Sequence, residues 1–268
     1  MGIFQSNELN ESGMGKSCII FCECGAGLIS PEASGQIVKM FQKFNADSYL
    51  LKDFCGIALN RKEFIRSLND IYIKVFIIAC YPRAIDHLLK QNSIKLRNYE
   101  VLNYRKLTVD EIASCLKKEF SIHEKEILPE VIESGLEVPA WFPVIDPSRC
   151  TNCGKCFKFC LFGVYSFEGQ NLSVANPLNC KNNCPACART CPSSAIIFPG
   201  IQEDGEVAGA KPGNVTNPAF VPDNSLIQAL NQRTAMRRNI FRRGLLQQAE
   251  EEKRKALDEL KNQRKNND

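Results

Sequence analysis

The sequence predicts an α/β parallel-sheet domain, followed by a small α+β domain and a charged helical tail. Three observations carry that division. Short β-branched runs alternate with helical patterns through the first half, eight cysteines fall into two regular runs between positions 150 and 191, and dense mixed charge fills the stretch from 225 onward. Strands alternating with helices imply a parallel sheet with helices on its faces. The expected units are a polar, disordered 1–16, a sheet domain 17–122, a linker 123–143, a cysteine-bearing domain 144–199, an irregular Gly/Pro/Asn-rich segment 200–224 and a helical tail 225–268.

At 268 residues the chain is long enough for two domains, and 44% hydrophobic residues is ordinary for a globular protein. Its 14 cysteines would suggest disulfides in a secreted protein. Their clustered spacing, and an N-terminus without an apolar signal segment, point instead to a reducing cytoplasm. The longest apolar run, 75–80, is far too short to span a bilayer, so a soluble protein without membrane insertion is expected.

In the first half, strands are expected at 18–21, 48–51, 74–79 and 99–104, and helices at 34–44, 61–71, 84–94 and 109–120. Pro31, and Thr108 or Asp110, are fitting helix starts. In such sheets the ligand site lies beyond the carboxyl ends of the strands. Cys22 and Cys24 end the first strand, Cys55 the second and Cys80 the third, so four thiols gather at one edge as a shared metal or redox site. Cys18 inside a strand and Cys115 inside a helix read as buried structural cysteines. Gly25-x-Gly27 with Asp53 forms only part of a dinucleotide fingerprint, since Ser30 holds the third glycine position, and flavin or NAD is disfavoured. His87 and His123 belong to no acid–base constellation and are expected at the surface.

Ile19-Ile-Phe-Cys-Glu-Cys-Gly, Asp53-Phe-Cys and Ile77-Ile-Ala-Cys-Tyr-Pro-Arg occur in that order within about 17–95. This stretch resembles the N-terminal domain of the heterodisulfide reductase A-subunit, where a Cys-x-Cys-Gly, a lone cysteine and an Ala-Cys-x-Pro-Arg segment recur. The resemblance implies membership in an electron-transfer assembly. The flavin domain that follows in that family is absent here, and the cysteine-bearing domain takes its place.

That domain carries Cys150-x2-Cys153-x2-Cys156-x3-Cys160 and Cys180-x3-Cys184-x2-Cys187-x3-Cys191-Pro192. Each iron of a [4Fe–4S] cubane needs a soft thiolate. Three cysteines of a run wrap one cluster, and the fourth, carried off by a helical turn, reaches the other. Cys150, Cys153, Cys156 and Cys191 are therefore assigned to one cluster, and Cys160, Cys180, Cys184 and Cys187 to a second. Zinc ribbons use two cysteine pairs rather than triplets followed by a fourth cysteine. Leu161 in place of proline and the x3 opening of the second run depart from the usual spacing. Residues 141–199 resemble a bacterial-type two-cluster ferredoxin domain, with strands at 164–167 and 172–175 joined by a Glu-Gly-Gln-Asn turn, and 195–198 echoing 164–167 as in an internal duplication. By the same ligand chemistry Cys22, Cys24, Cys55 and Cys80 are candidates for a third [4Fe–4S] cluster.

The formal charge of +4 counts the cysteines as neutral. A thiolate-ligated cubane carries roughly two negative charges, so two of them bring the balance to about zero. Basicity is local to the tail, where a helix over 225–262 brings together Arg233, Arg237, Arg238, Arg242 and Arg243. Leu226, Leu230, Ile240, Phe241, Leu245 and Leu257 give it a sparse apolar stripe, suited to a solvated helix or a partner-docking arm. No aromatic platform accompanies the arginines, which disfavours nucleic acid.

The expected function is iron–sulfur electron transfer as a subunit or adaptor of a larger oxidoreductase, with redox proteins as partners, rather than catalysis by this chain alone. A self-contained flavin or nicotinamide oxidoreductase and a redox-sensing adaptor with a docking tail are the alternatives.

Overall fold

The computed structural model describes residues 15–169, 171–212 and 245–265. Strand β1 (Ser17–Cys22) has no polar alternation after its first residue, and Cys18, Ile19, Ile20 and Phe21 are wholly enclosed. Such a run suits a strand covered on both faces. It is the centre of a parallel sheet with β2 (Asp47–Leu51), β3 (Lys74–Ala79), β4 (Tyr99–Asn103) and β5 (Glu130–Ile132), in the order β4-β3-β1-β2-β5. Four strands were legible from β-branched runs. The fifth comes from the stretch expected to be a linker: Glu130–Ile132 extends the sheet beside β2. It is short, and its Val131 is exposed at the edge, so no strand periodicity announces it.

Five helices cover this sheet. The hydroxyl of Ser30 accepts from the amide of Ala33 to start α1 (Pro31–Phe41), and a reciprocal Thr108–Glu111 capping box starts α5 (Val109–Leu116). These two helices bury Ile37, Phe41, Ile112 and Leu116 against Ile19, Phe21, Phe76 and Ile78. On the other face α2 (Phe54–Asn60), α3 (Lys62–Ile71) and α4 (Pro82–Gln91) pack on Cys18, Ile20, Val75 and Ile77. The alternation along β1 and β3 assigns neighbouring residues to opposite cores. Helix α2, which the sequence did not lead us to expect, places Cys55 in a helical first turn rather than in a strand-end loop.

The second half folds around two small antiparallel pairs. Strand β6 (Val144–Ile145) pairs with β9 (Ile196–Ile197), and β7 (Tyr165–Glu168) forms a hairpin with β8 (Asn171–Val174). Two short helices, α6 (Lys155–Phe159) and α7 (Ala186–Arg189), follow the turns of the two cysteine runs. Phe142, Val144, Ile197 and Phe198 continue the core on the α4 side of the large sheet, so the halves share one apolar interior.

Helix α4 is the seat of that junction. Arg83, His87 and Gln91 recur every fourth residue and so share one face. Arg83 Nε donates to Asp146 Oδ2 at 2.7 Å, and its NH2 to the Ser194 carbonyl at 2.6 Å. His87 Nε2 lies 3.2 Å from Asp146 Oδ1. Gln91 donates to the Pro143 carbonyl and accepts from the Ile145 amide. The expectation of a surface His87 is therefore corrected: its side chain is 12% exposed at this junction. The start of the 200–224 segment is irregular but packed, with Ile201 and Ala208 buried and Arg105 donating to the carbonyls of Ile201, Gln202 and Glu203.

The tail also differs from expectation. Residues 225–244, with the expected arginine cluster and most of the apolar stripe, lie outside the described residues; α8 (Leu245–Lys265) is a helix seated on α7 by one face, while Glu250, Glu251, Arg254, Lys255 and Asp258 are exposed. Its enclosed residues are Ala249 and Ala256, whereas Leu257 is exposed. Alanine lets the backbones approach closely, and a search for large apolar residues overlooks such a stripe. Among the described residues no helix is long and apolar enough to cross a membrane.

Candidate metal centres

The tight loops of the two cysteine runs depend on left-handed residues. Asn152 (φ 51°) precedes Cys153, and Asn183 (φ 60°) precedes Cys184, so the two runs turn at equivalent places. Asparagine tolerates this conformation better than most residues. Gly154 (φ 67°) turns the first loop into α6, and a Cβ there would meet the Phe167 ring at 3.2 Å. Each loop then feeds a short helix that carries the fourth cysteine of its run away from the first three.

The result is a crossed grouping. Cys150, Cys153, Cys156 and Cys191 line one hollow, together with Gly154, Leu172, Pro192 and Ile196. Cys160, Cys180, Cys184 and Cys187 line another, walled by Phe159, Phe162, Val164 and Tyr165. These are the two sets assigned from spacing. Burial is the main cause that raises Cys150, Cys156 (to about 12), Cys180, Cys184 and Cys187 above an ordinary thiol, and neighbours within each set add to it. Cys187 also accepts from the buried Tyr165 hydroxyl at 3.1 Å, and Cys191 from the Ala195 amide at 3.3 Å.

The four N-terminal thiols also meet. Cys22 is the last residue of β1, Cys24 lies two beyond it in a left-handed turn (φ 58°), and Cys80 directly follows β3. Strands β1 and β3 are neighbours whose connections leave in opposite directions, to β2 and to β4, so the crevice between their ends is the switch point where such sheets bind ligands. The Cys22 thiol donates to Cys24, which raises Cys22 and lowers Cys24 to about 7; amides of Ala26 and Leu28 also favour the Cys24 thiolate. Burial, with Asp53, Cys80 and Cys24 nearby, raises Cys55, while burial and Cys24 raise Cys80 to about 12 against the opposing charge of Arg105. Asp53 Oδ2 is held by the Ala140 amide at 2.7 Å. Cys18 and Cys115 stand apart from these groups: Cys18 is enclosed within β1, with its thiol raised to about 12 by burial, and Cys115 is half-buried on α5.

The chemistry of all three sets fits an iron–sulfur cluster. All 14 cysteines are free thiols. Among the described residues no three Cys, His, Asp or Glu side chains converge tightly enough for a single metal ion. Each set offers four thiolate donors, the number and softness that the four irons of a cubane require. At the N-terminal set the buried Tyr104 hydroxyl faces the thiols of Cys22, Cys24 and Cys80, with Cys24 as its sulfur hydrogen-bond partner, and burial is the main cause that raises its pKa. Tyr104 and Tyr165 escaped the sequence reading because nothing in their spacing relates them to the cysteines they approach.

Residues 142–165 match the profile of a 4Fe-4S binding domain, a segment that contains the whole first cysteine run. An uncharacterized ferredoxin of Methanocaldococcus jannaschii is 31% identical over 153 residues, which cover 56% of this chain and 86% of the relative. Ferredoxin-3 of Nostoc sp. is 31% identical over 74 residues, covering 21% of this chain and 75% of its own length. A second uncharacterized ferredoxin of M. jannaschii shares 28% identity over 57 residues, or 20% of this chain and 74% of the relative. No solved structure matches the chain.

Proposed function

Because the chain belongs to the ferredoxin family, we propose that it is an electron carrier with two [4Fe–4S] clusters in its second half and a third on its parallel sheet. Cys150, Cys153, Cys156 and Cys191 would hold the first cluster, Cys160, Cys180, Cys184 and Cys187 the second, and Cys22, Cys24, Cys55 and Cys80 the third. Each cluster supplies reversible one-electron exchange, and the protein supplies ligands, hydrogen bonds and exclusion of water. The observation that carries the reading is the crossed gathering of the two cysteine runs around two hollows. Two separate two-pair zinc sites would not bring the fourth cysteine of each run to the other run's triplet.

The likeness of 17–95 to the heterodisulfide reductase A-subunit supports a place in a larger cytoplasmic oxidoreductase, with other redox proteins as donor and acceptor. The Arg83 junction supports one rigid electron-transfer unit, because it fixes the segment after Cys80 against the loop after Cys191.

One observation favours a second reading for the N-terminal site. The lowered Cys24 thiol beside Cys22 is also what a redox-cycling dithiol needs. Anaerobic iron and sulfide analysis separates the two: three cubanes require about twelve irons per chain, falling to about eight when Cys55 and Cys80 are replaced. About eight irons, unchanged by those replacements, would leave the dithiol standing. Cys160→Ser should damage the cluster of Cys180, Cys184 and Cys187 and spare its neighbour; loss of the Cys150-side EPR signal instead would overturn the crossed assignment.

A further inference from the structure

The two cysteine sets of the second half are not equally open. In the first, Cys153 is exposed, and so are Thr151 and Asn152 beside it. The second set has no exposed cysteine, and one of the residues lining its hollow, Lys253, comes from α8. The Lys253 ammonium lies 4.5 Å from the centre of the Phe159 ring, which belongs to the same wall.

The rest of that helix face is anchored to the second cysteine run. Glu252 Oε1 accepts from Arg189 Nε at 2.8 Å, and Arg189 lies between Cys187 and Cys191. Glu259 pairs with Lys181, which lies between Cys180 and Cys184. Ala249 and Ala256 are enclosed between these polar anchors. Positions 249, 252, 253, 256 and 259 follow the three- and four-residue spacing of a single helix face. A helix as polar as this gains its stability from packing, so the contact also explains why it is ordered.

We infer that α8 is a built-in cover over the second cysteine set, closing one side of its hollow against solvent. The inference rests on the proposal that the second set holds a cluster. It gives the described helix 245–265 a place against its own chain.

The test uses anaerobically purified protein in three forms: the full chain, a chain ending before Leu245, and the full chain with Ala249→Glu and Ala256→Glu, which unseats the helix without removing it. Iron release to bathophenanthroline disulfonate is followed by EPR, with the two signals assigned through Cys150→Ser and Cys187→Ser. In the full chain the first cluster should lose iron faster. Unseating α8 should speed loss from the second cluster on the order of tenfold or more, as expected when a cover that opens locally is removed, while the first keeps its rate. Unchanged rates in both altered forms, or equal acceleration of both clusters, would overturn the cover. Maleimide labelling read by mass spectrometry, on the same three forms after iron has been chelated to the same residual level in each, gives a second readout: Cys184 should become more reactive without α8, and equal labelling in all three forms would count against it. Too little iron for two clusters in the full chain would count against the cluster reading instead.

Discussion

Replacing Arg83 by methionine tests whether the two halves are held by a buried ionic junction. The guanidinium side chain is 9% exposed and its partner Asp146 is 3% exposed. Besides Asp146 and Ser194, it donates to the carbonyls of Glu206 at 3.2 Å and Ala210 at 3.4 Å. Methionine preserves much of the apolar stem but leaves the Asp146 carboxylate in a nearly dry site with only Ser148 and His87 beside it. Removing one member of a buried pair costs about 3–5 kcal/mol, because the surviving charge is desolvated without compensation. For a chain of this size each kcal/mol lowers the melting temperature by about 2–4 °C, so a fall of roughly 8–16 °C follows for a loss near 4 kcal/mol. Anaerobic thermal denaturation by circular dichroism measures it. Arg83→Lys should recover only part, since a point charge cannot reproduce the three-way fork. Arg83→Met combined with Asp146→Leu should melt above Arg83→Met alone, because no charge is then stranded. A fall under about 2 °C for Arg83→Met would show a pair no stronger than an exposed one and would refute the reasoning.

Other consequences follow from single contacts. Tyr165→Phe removes the hydroxyl that donates to Cys187, and the midpoint potential of the second cluster should become more negative in an EPR-monitored titration, because hydrogen bonds to cluster sulfurs favour the reduced state. An unchanged potential would mean that this hydroxyl does not tune the site. Gly56→Ala would put a Cβ 2.5 Å from Asp53 Oδ2 and 2.8 Å from Ser134 Cβ, which should destabilise by ~1–3 kcal/mol and lower iron retention selectively at the N-terminal site. Gly154→Ala adds a side chain at φ +67° against Phe167 and should cost ~1–3 kcal/mol, with iron lost first from the Cys150 cluster. Burial lowers the pKa of His87 despite Asp146 nearby. The unfolded chain therefore takes up this proton first, near pH 6.5, and the contribution present above that pH is lost as pH falls through the folded value. Melting temperature should decline less steeply between pH 7 and 5 in His87→Gln.

Most of the sheet, and the cysteine spacing behind the iron–sulfur proposal, can be read along the chain. Three cysteines of each second-half set lie within eight residues, and a short helical turn supplies the crossing, so spacing alone anticipates which four line each hollow. β1 to β4 were legible because strands covered on both faces need unbroken apolar runs. The meeting of Cys22, Cys24, Cys55 and Cys80 followed from strand-end positions, although Cys55 arrives on a helix that the sequence did not announce. The remaining features depend on partners far apart in the chain. β5 is a strand because β2 offers it an edge, and Glu130, Val131 and Ile132 have no strand pattern of their own. Arg83, His87 and Gln91 looked like an ordinary polar helix face until Pro143, Ile145, Asp146 and Ser194 packed against them. Helix α8 looked like a solvated tail because its buried stripe is alanine, which carries little hydrophobic signal in sequence but allows the close approach that brings Lys253 to the second cysteine set. Local spacing fixes what is close along the chain, whereas these contacts are chosen by shape and charge between surfaces that exist only after folding.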